Sequence, residues 1–451
     1  MPFARIRLAL GLAFALGTAV PAHAQSLIEL YEAARGYDAT YLAARALLDS
    51  AQYRVDQVKS LQRPSVGLQV FGGRTTSDTP FSSTTKADTN TVSAGVSASQ
   101  SLFNRANNAT IGQAEKSLEI SRADFETADQ DLILRVAQAY FDVLAAQDAL
   151  ATTRTGKAAI IEQLASAKRN FEVGTATITD TREAQARYDL AVAQEIAADN
   201  DLRTKRIALD QLVGRSDVAP KGLAVPVTLP AVQPAAADAW VSRADAEHPT
   251  IRRARLGLDV AKLETDKARA GNLPTVTLNG SVGKGHVSTS GDVSSGPGGV
   301  QPFNASGNST NTSIGVTMNL PLFAGYAIQN RVKETLLLEE KSRNDLEAAR
   351  RGVALGTRQA FFGVQSGEAQ VKALEAAESS SQLALEATQL GYRVGVRVNL
   401  DVLNAQTQLY STQADLAKAR YDVIVGGLRL RQASGQLAAG DVEAVNRLLS
   451  K

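Results

Sequence analysis

Apolar residues recur along this chain in two rhythms. In the proline-free run 81–219, Ile111, Leu118, Phe125 and Leu132 fall every seven residues among Ala, Leu, Glu, Gln, Lys and Arg. A seven-residue period in strong helix formers is the pattern of a coiled coil. It predicts one helix over 104–171 and a returning helix over 181–213. At a rise of 1.5 Å per residue the first is about 100 Å long, so it must lie against other helices along its length. A second proline-free run, after Pro321, predicts helices over 325–390 and 399–434 in the same two roles.

The second rhythm has period two. Residues 92–99 and 313–320 alternate apolar with small or polar side chains, as do Val66, Leu68 and Val70, and Val276, Leu278 and Val282 with their neighbours. Each reads as a strand of about ten residues with one apolar face. Alternation alone fits both a tilted strand across an outer membrane and a half-buried strand of a soluble sheet. Segments 72–90 and 283–311, rich in Ser, Thr, Gly and Asn, read as polar loops facing outside the cell. The run 294–299 has no adjacent Lys-Ser/Thr and no following helix, which excludes a phosphate loop.

The two rhythms are written twice. Val173-Gly174, Asp180 and Ala184-Gln185 are echoed by Val394-Gly395, Asp401 and Ala405-Gln406. Gln138-Ala139-Tyr140-Phe141 is answered by Gln359-Ala360-Phe361-Phe362, and Leu102-Phe103 by Leu322-Phe323. Duplication of one unit of short helix, two strands, long helix and returning helix is the simplest account. The repeats cover 25–215 and 241–435, joined by a linker over 216–240 that holds Pro220, Pro226, Pro230 and Pro234; a tail follows over 436–451. Gly174 and Gly395 supply the left-handed backbone that ends a helix, so each Val-Gly marks a corner between coils. An acid just past each corner sits where the helix dipole favours negative charge.

Composition sharpens the picture. Arg5 and Arg7, an apolar stretch over 8–20 and Ala22-His23-Ala24 make 1–24 a secretory signal peptide. The remaining chain has no cysteine and a net charge near zero, which argues against disulfides and against nucleic acid. No later segment is apolar enough for a membrane helix, so a membrane role requires closed β-structure. The remaining histidines, His248 near a short helix and His286 in a loop, are far apart, and no HExxH, GxSxG or thiolate motif occurs. No catalytic, metal or cofactor site is expected. One chain offers four strands, while bacterial barrels use at least about eight. The barrel must close between chains, and eight, twelve or sixteen strands remain open.

The stretch Gly391-Tyr392-Arg393-Val394-Gly395, then Arg397 and Asp401-Val402-Leu403, together with Val173-Gly174 and Ile178-Thr179-Asp180, resembles the TolC family of outer-membrane export ducts. The resemblance extends over essentially the whole chain after the signal. It implies an α+β membrane protein: a homotrimer whose twelve-stranded outer-membrane β-barrel, four strands per chain, continues as a periplasmic α-helical coiled-coil barrel. It implies an exit duct for efflux or type I secretion, working with a periplasmic adaptor and an inner-membrane transporter and embedded in outer-membrane lipid. By the same likeness Asp401 points into the lumen as an acidic ring. Asn404, one turn on, stands where the family has a second acid. Arg397 to Thr179 and Tyr392 to Asp180 are the implied closing bonds of the tip. An exported coiled-coil surface or adhesin-like protein is the alternative that shares the helices but needs no duplicated strand pairs.

Overall fold

The computed structural model describes residues 25–79, 84–224, 226–227, 229–294 and 299–450; the signal segment lies outside them. Each half begins with a helical pair, α1 (Leu27–Tyr37) and α2 (Ala39–Lys59), or α5 (Ala237–Glu247) and α6 (Pro249–Arg269). Strands follow, β1 (Ser65–Asp78) and β2 (Thr84–Phe103), or β3 (Thr275–Ser294) and β4 (Val300–Asn319). The long helices are α3 (Arg105–Glu172) and α7 (Ala327–Arg393), returning as α4 (Ile178–Val213) and α8 (Asn399–Ala433), with α9 (Ala439–Asn446) last.

The four strands form one antiparallel sheet in the order β1-β2-β3-β4, so β1 and β4 are both edges. Register puts Val66, Leu68 and Val70 on one face with Val92, Val96 and Val282, while Ser65, Ser97 and Ser281 share the other. The sequence underestimated the strands. β1 has 14 residues and the other three have 20 each. Most of 72–90 and 283–311, read as loops, is paired: Gly72 opposite Val92 through to Asp78 opposite Lys86, and His286 opposite Asn308 through to Ser294 opposite Val300. His286 therefore lies in a strand, its Nδ1 2.8 Å from Asn308 Oδ1. Where water bathes both faces the apolar alternation disappears, although backbone pairing continues.

Beneath the sheet α3 packs on α2 and α6, and α6 on α7; toward the far end α3 packs on α4 and α8, and α8 on α7. α2 and α7 thus border the helical wall below β1 and β4. The main core lies midway down this wall. Tyr140, Phe141, Val136 and Leu209 are buried there with Leu30 and Leu428, at 0–3 % exposure. The Tyr140 hydroxyl donates to the Lys221 carbonyl at 2.8 Å. Asp38 caps α2 by accepting from Tyr41 N–H at 2.8 Å, and takes both Arg135 guanidinium nitrogens at 2.8 and 2.9 Å. Those hydrogen bonds from Arg135 hold the Asp38 carboxyl below its usual range. The linker is fastened rather than loose. It bridges Gln25 at Pro220 and Leu449 at Leu223, and the Leu27 N–H donates to Asn446 Oδ1 across 419 positions.

Candidate functional site

The far end of the wall is made by two corners of nearly identical build. Gly174 and Gly395 both stand at φ 78°. Thr175 N–H returns to Asn170 O at 2.8 Å, and Val396 N–H to Gly391 O at 2.9 Å, closing the last turns of α3 and α7. No atom lies within 4 Å of where a Cβ would stand on either glycine, so backbone conformation alone demands glycine there. At Gly391 the demand is space: a Cβ would come 2.8 Å from the Arg397 side chain, whose stem crosses that point.

Both acids cap the returning helices. Asp180 accepts from Thr177 N–H at 2.9 Å and from the Thr177 hydroxyl at 2.7 Å, while Asp401 accepts from Val398 N–H at 3.5 Å. Within one chain the tip groups pair differently from the bonds that the resemblance implied. The Tyr392 hydroxyl accepts from Asn170 Nδ2 at 3.1 Å rather than meeting Asp180, whose carboxylate is taken up by Thr177. Arg397, in the corner just before α8, lies 3.6 Å from Asp401 in the first turn of that helix, and the Thr179 hydroxyl is 2.6 Å from that of Thr177. The Asp401 side chain is 37 % exposed. Asn404 accepts from Arg187 at 2.7 Å, which ties α8 to α4.

Sequence reading missed several residues here. Leu403 is fully buried as a knob among Leu164, Ala167 and Ala184 of the other coil. Asn399, 2 % exposed, accepts from Gln163 and leaves its own Nδ2 unpartnered. Gly156 admits the Tyr410 ring, 3.1 Å from where a Cβ would be. The only available signal was a glycine inside a long helix. Asn170, Gln163 and Arg187 carry no local signal, because their partners lie in the other repeat.

Among the described residues no helix is long and apolar enough to cross a membrane, and no group of three or more His, Asp or Glu could hold a metal. His248 caps α6, its Nδ1 accepting from Thr250 N–H at 3.1 Å, and burial lowers its pKa.

A family model described as "Outer membrane efflux protein" matches residues 30–215 and 240–436. The outer membrane protein TolC of Vibrio cholerae is 34 % identical over 434 residues, 96 % of each chain. The alkaline protease secretion protein AprF of Pseudomonas aeruginosa is 35 % identical over 330 residues, covering 72 % of this chain and 66 % of that one. The crystal structure of the outer membrane protein VceC from Vibrio cholerae superposes with a TM-score of 0.75 at 19 % identity, over 91 % of this chain and 96 % of that one; at that identity the likeness speaks for the fold.

Proposed function

The chain belongs to the outer membrane efflux protein family, and from that premise we propose how this duct is assembled and closed. The protein is an outer-membrane exit duct for efflux or secretion that reaches into the periplasm. One observation carries the assembly: the sheet's edges, β1 and β4, stand in line with α2 and α7, the borders of the helical wall. Unpaired strand edges in lipid cost several kcal/mol per unsatisfied group. Three chains join β4 to β1 and α7 to α2 around a ring. Each brings its two repeats, 25–215 and 241–435, with 216–240 and 436–451 as a strap outside. The exposed Leu337 and Leu355 of α7, and Leu47 and Tyr53 of α2, supply apolar cover for the helical part of that seam.

At the tip three Asp401 carboxylates ring the lumen, with Asn404 one turn further on. Arg397 leaves Asp401 for Thr179 of the neighbouring chain when the trimer closes, while Asn170 and Tyr392 hold the coils together within each chain. Asp180 keeps its cap and stiffens the corner that carries Thr179. A periplasmic adaptor competes for these bonds, and an inner-membrane transporter supplies the energy. The duct itself performs no chemistry. An exported fibre would account for the helices but not for the duplicated strand pairs.

Planar-bilayer recording tests both levels. The purified protein gives small discrete steps, and Arg397→Ala gives larger ones. Absence of steps overturns the duct, whereas equal steps in the two proteins overturn only the gate.

A further inference from the structure

We propose that Lys284 anchors the phosphate of a phosphorylated glycolipid in the outer leaflet. On β3 the outward, apolar face runs Val276, Leu278, Val282 and then Lys284. Register sets Lys284 in one row with Val70, Ala94 and Thr310; the row above holds Gly72, Val92, His286 and Asn308. Apolar side chains persist on this face from Val276 up to Val92, about eleven residues or roughly 28 Å once tilted by about 40°, with Thr310, His286 and Asn308 entering in the last two rows. That matches a hydrocarbon core and leaves Lys284 one row from its outer limit. A lysine there costs little only if its stem lies along the wall and its ammonium reaches the headgroups.

Its neighbours leave that charge uncompensated. Arg74 is spent on Asp88 at 3.0 Å, and Lys86 stands opposite Asp78 and Asp292 in register. Beyond its backbone pairing, the Lys284 side chain has no ion pair or hydrogen bond among the described residues. Gly72 has open space where a Cβ would be, and Ala94 is small, so the wall beside the ammonium is shallow. β3 is an inner strand, which keeps Lys284 away from the seam between chains. The strands continue beyond it to Ser294, with Asn90, Ser288, Ser306 and Asn304 on the same face. Below the lysine the surface suits acyl chains, at its level an anion, and above it sugar hydroxyls. A phosphorylated glycolipid presents these three chemistries in that order.

The inference rests on the barrel reading, and its test separates the two. Trimers of wild type, Lys284→Ala, Lys284→Arg and Lys86→Ala are reconstituted in phosphatidylcholine vesicles with or without bacterial phosphorylated glycolipid. Retained glycolipid after washing and the melting of the trimer are measured, and conductance is recorded in parallel. Lys284→Ala should retain glycolipid about fivefold more weakly per site, the factor that corresponds to about 1 kcal/mol for one basic side chain at an anionic lipid surface. It should also lose most of the glycolipid-induced rise in melting temperature while keeping its conductance. Lys284→Arg and Lys86→Ala should behave as wild type. Equal retention by Lys284→Ala and wild type overturns the site, as does equal retention of dephosphorylated glycolipid. Reproduction of the stabilisation by inorganic phosphate alone overturns it in favour of a free-anion site. Loss of conductance in every protein, wild type included, would instead count against the barrel.

Discussion

The midsection and the tip are built from the same four long helices, yet they are held together by different means. At the midsection the coils share Tyr140, Phe141, Tyr421 and a continuous set of Val and Leu side chains, with Arg135 and Asp38 locked as a two-point pair. At the tip Leu385, Val402 and Leu409 pack within one coil, and between the coils a buried knob, Leu403, is accompanied by polar links: Asn170 to Tyr392, Gln163 to Asn399 and Arg187 to Asn404. Apolar contacts lose free energy in proportion to the area re-exposed to water. Polar links are largely replaced by water when they part, and their net worth is about 0.5–1.5 kcal/mol each. Separating the coils is therefore costly at the midsection and cheap at the tip. Under the gating proposed above, this contrast would let a long duct open at one end without coming apart.

That contrast can be broken most severely at Phe141. Phe141→Ala should cost about 3–5 kcal/mol, the usual toll for an emptied aromatic core site, and should lower the melting temperature of the purified protein more than any other substitution named below. Next in size is Asp38→Ala, which removes a helix cap and strands Arg135; a loss of about 2 kcal/mol is expected in thermal denaturation. Its pH dependence has a definite sign. A carboxyl held low in the folded state contributes stability above its unfolded pKa of about 3.9 and forfeits it as pH falls through the folded value. His248, lowered by burial, likewise contributes above about 6.5 and loses that contribution on acidification. Wild type should weaken in two stages between neutrality and strong acid, and Asp38→Asn should diminish the lower stage, to which Glu264, also held low, contributes, while leaving the upper stage unchanged.

The smallest stability effect belongs to the tip. Arg187→Ala and Asn404→Ala should each change the melting free energy by under about 1 kcal/mol. Each should nevertheless raise single-channel current, measured at about 1 M salt, where the Debye length is about 3 Å and ring charges are screened. If both variants and their double combination match wild-type current, the polar links do not restrain the tip. Asp401→Ala should weaken block by divalent cations added on the periplasmic side; unchanged block would remove Asp401 from the constriction.

Local features of the fold were legible in the sequence. Val-Gly at each corner announced both left-handed turns, and seven-residue spacing placed the long helices within a few residues of their ends. Strand lengths were not legible, because Ser, Thr, Gly and Asn give no alternation where both faces are wet. The cross-coil partners were hidden for a different reason. Asn170 meets Tyr392 across 222 positions and Arg187 meets Asn404 across 217, and neither pair leaves a mark on its own neighbourhood. The corners declare themselves because backbone geometry is local, whereas the bonds that join one corner to the other depend on how two distant copies are juxtaposed.

The strap at mid-height has a consequence for timing. Its isolated bridges join the linker to Gln25 at Pro220 and to Leu449 at Leu223, and α9 reaches back to α1 through Asn446. The clasp therefore cannot fasten until nearly the whole polypeptide has been delivered through the inner membrane. Until then Tyr421, Leu428, Val442 and Leu449 are missing from a midsection core whose other part, around Leu30, Tyr140 and Leu209, comes from the first repeat, so a chain that stalls in transit holds that apolar face open to water.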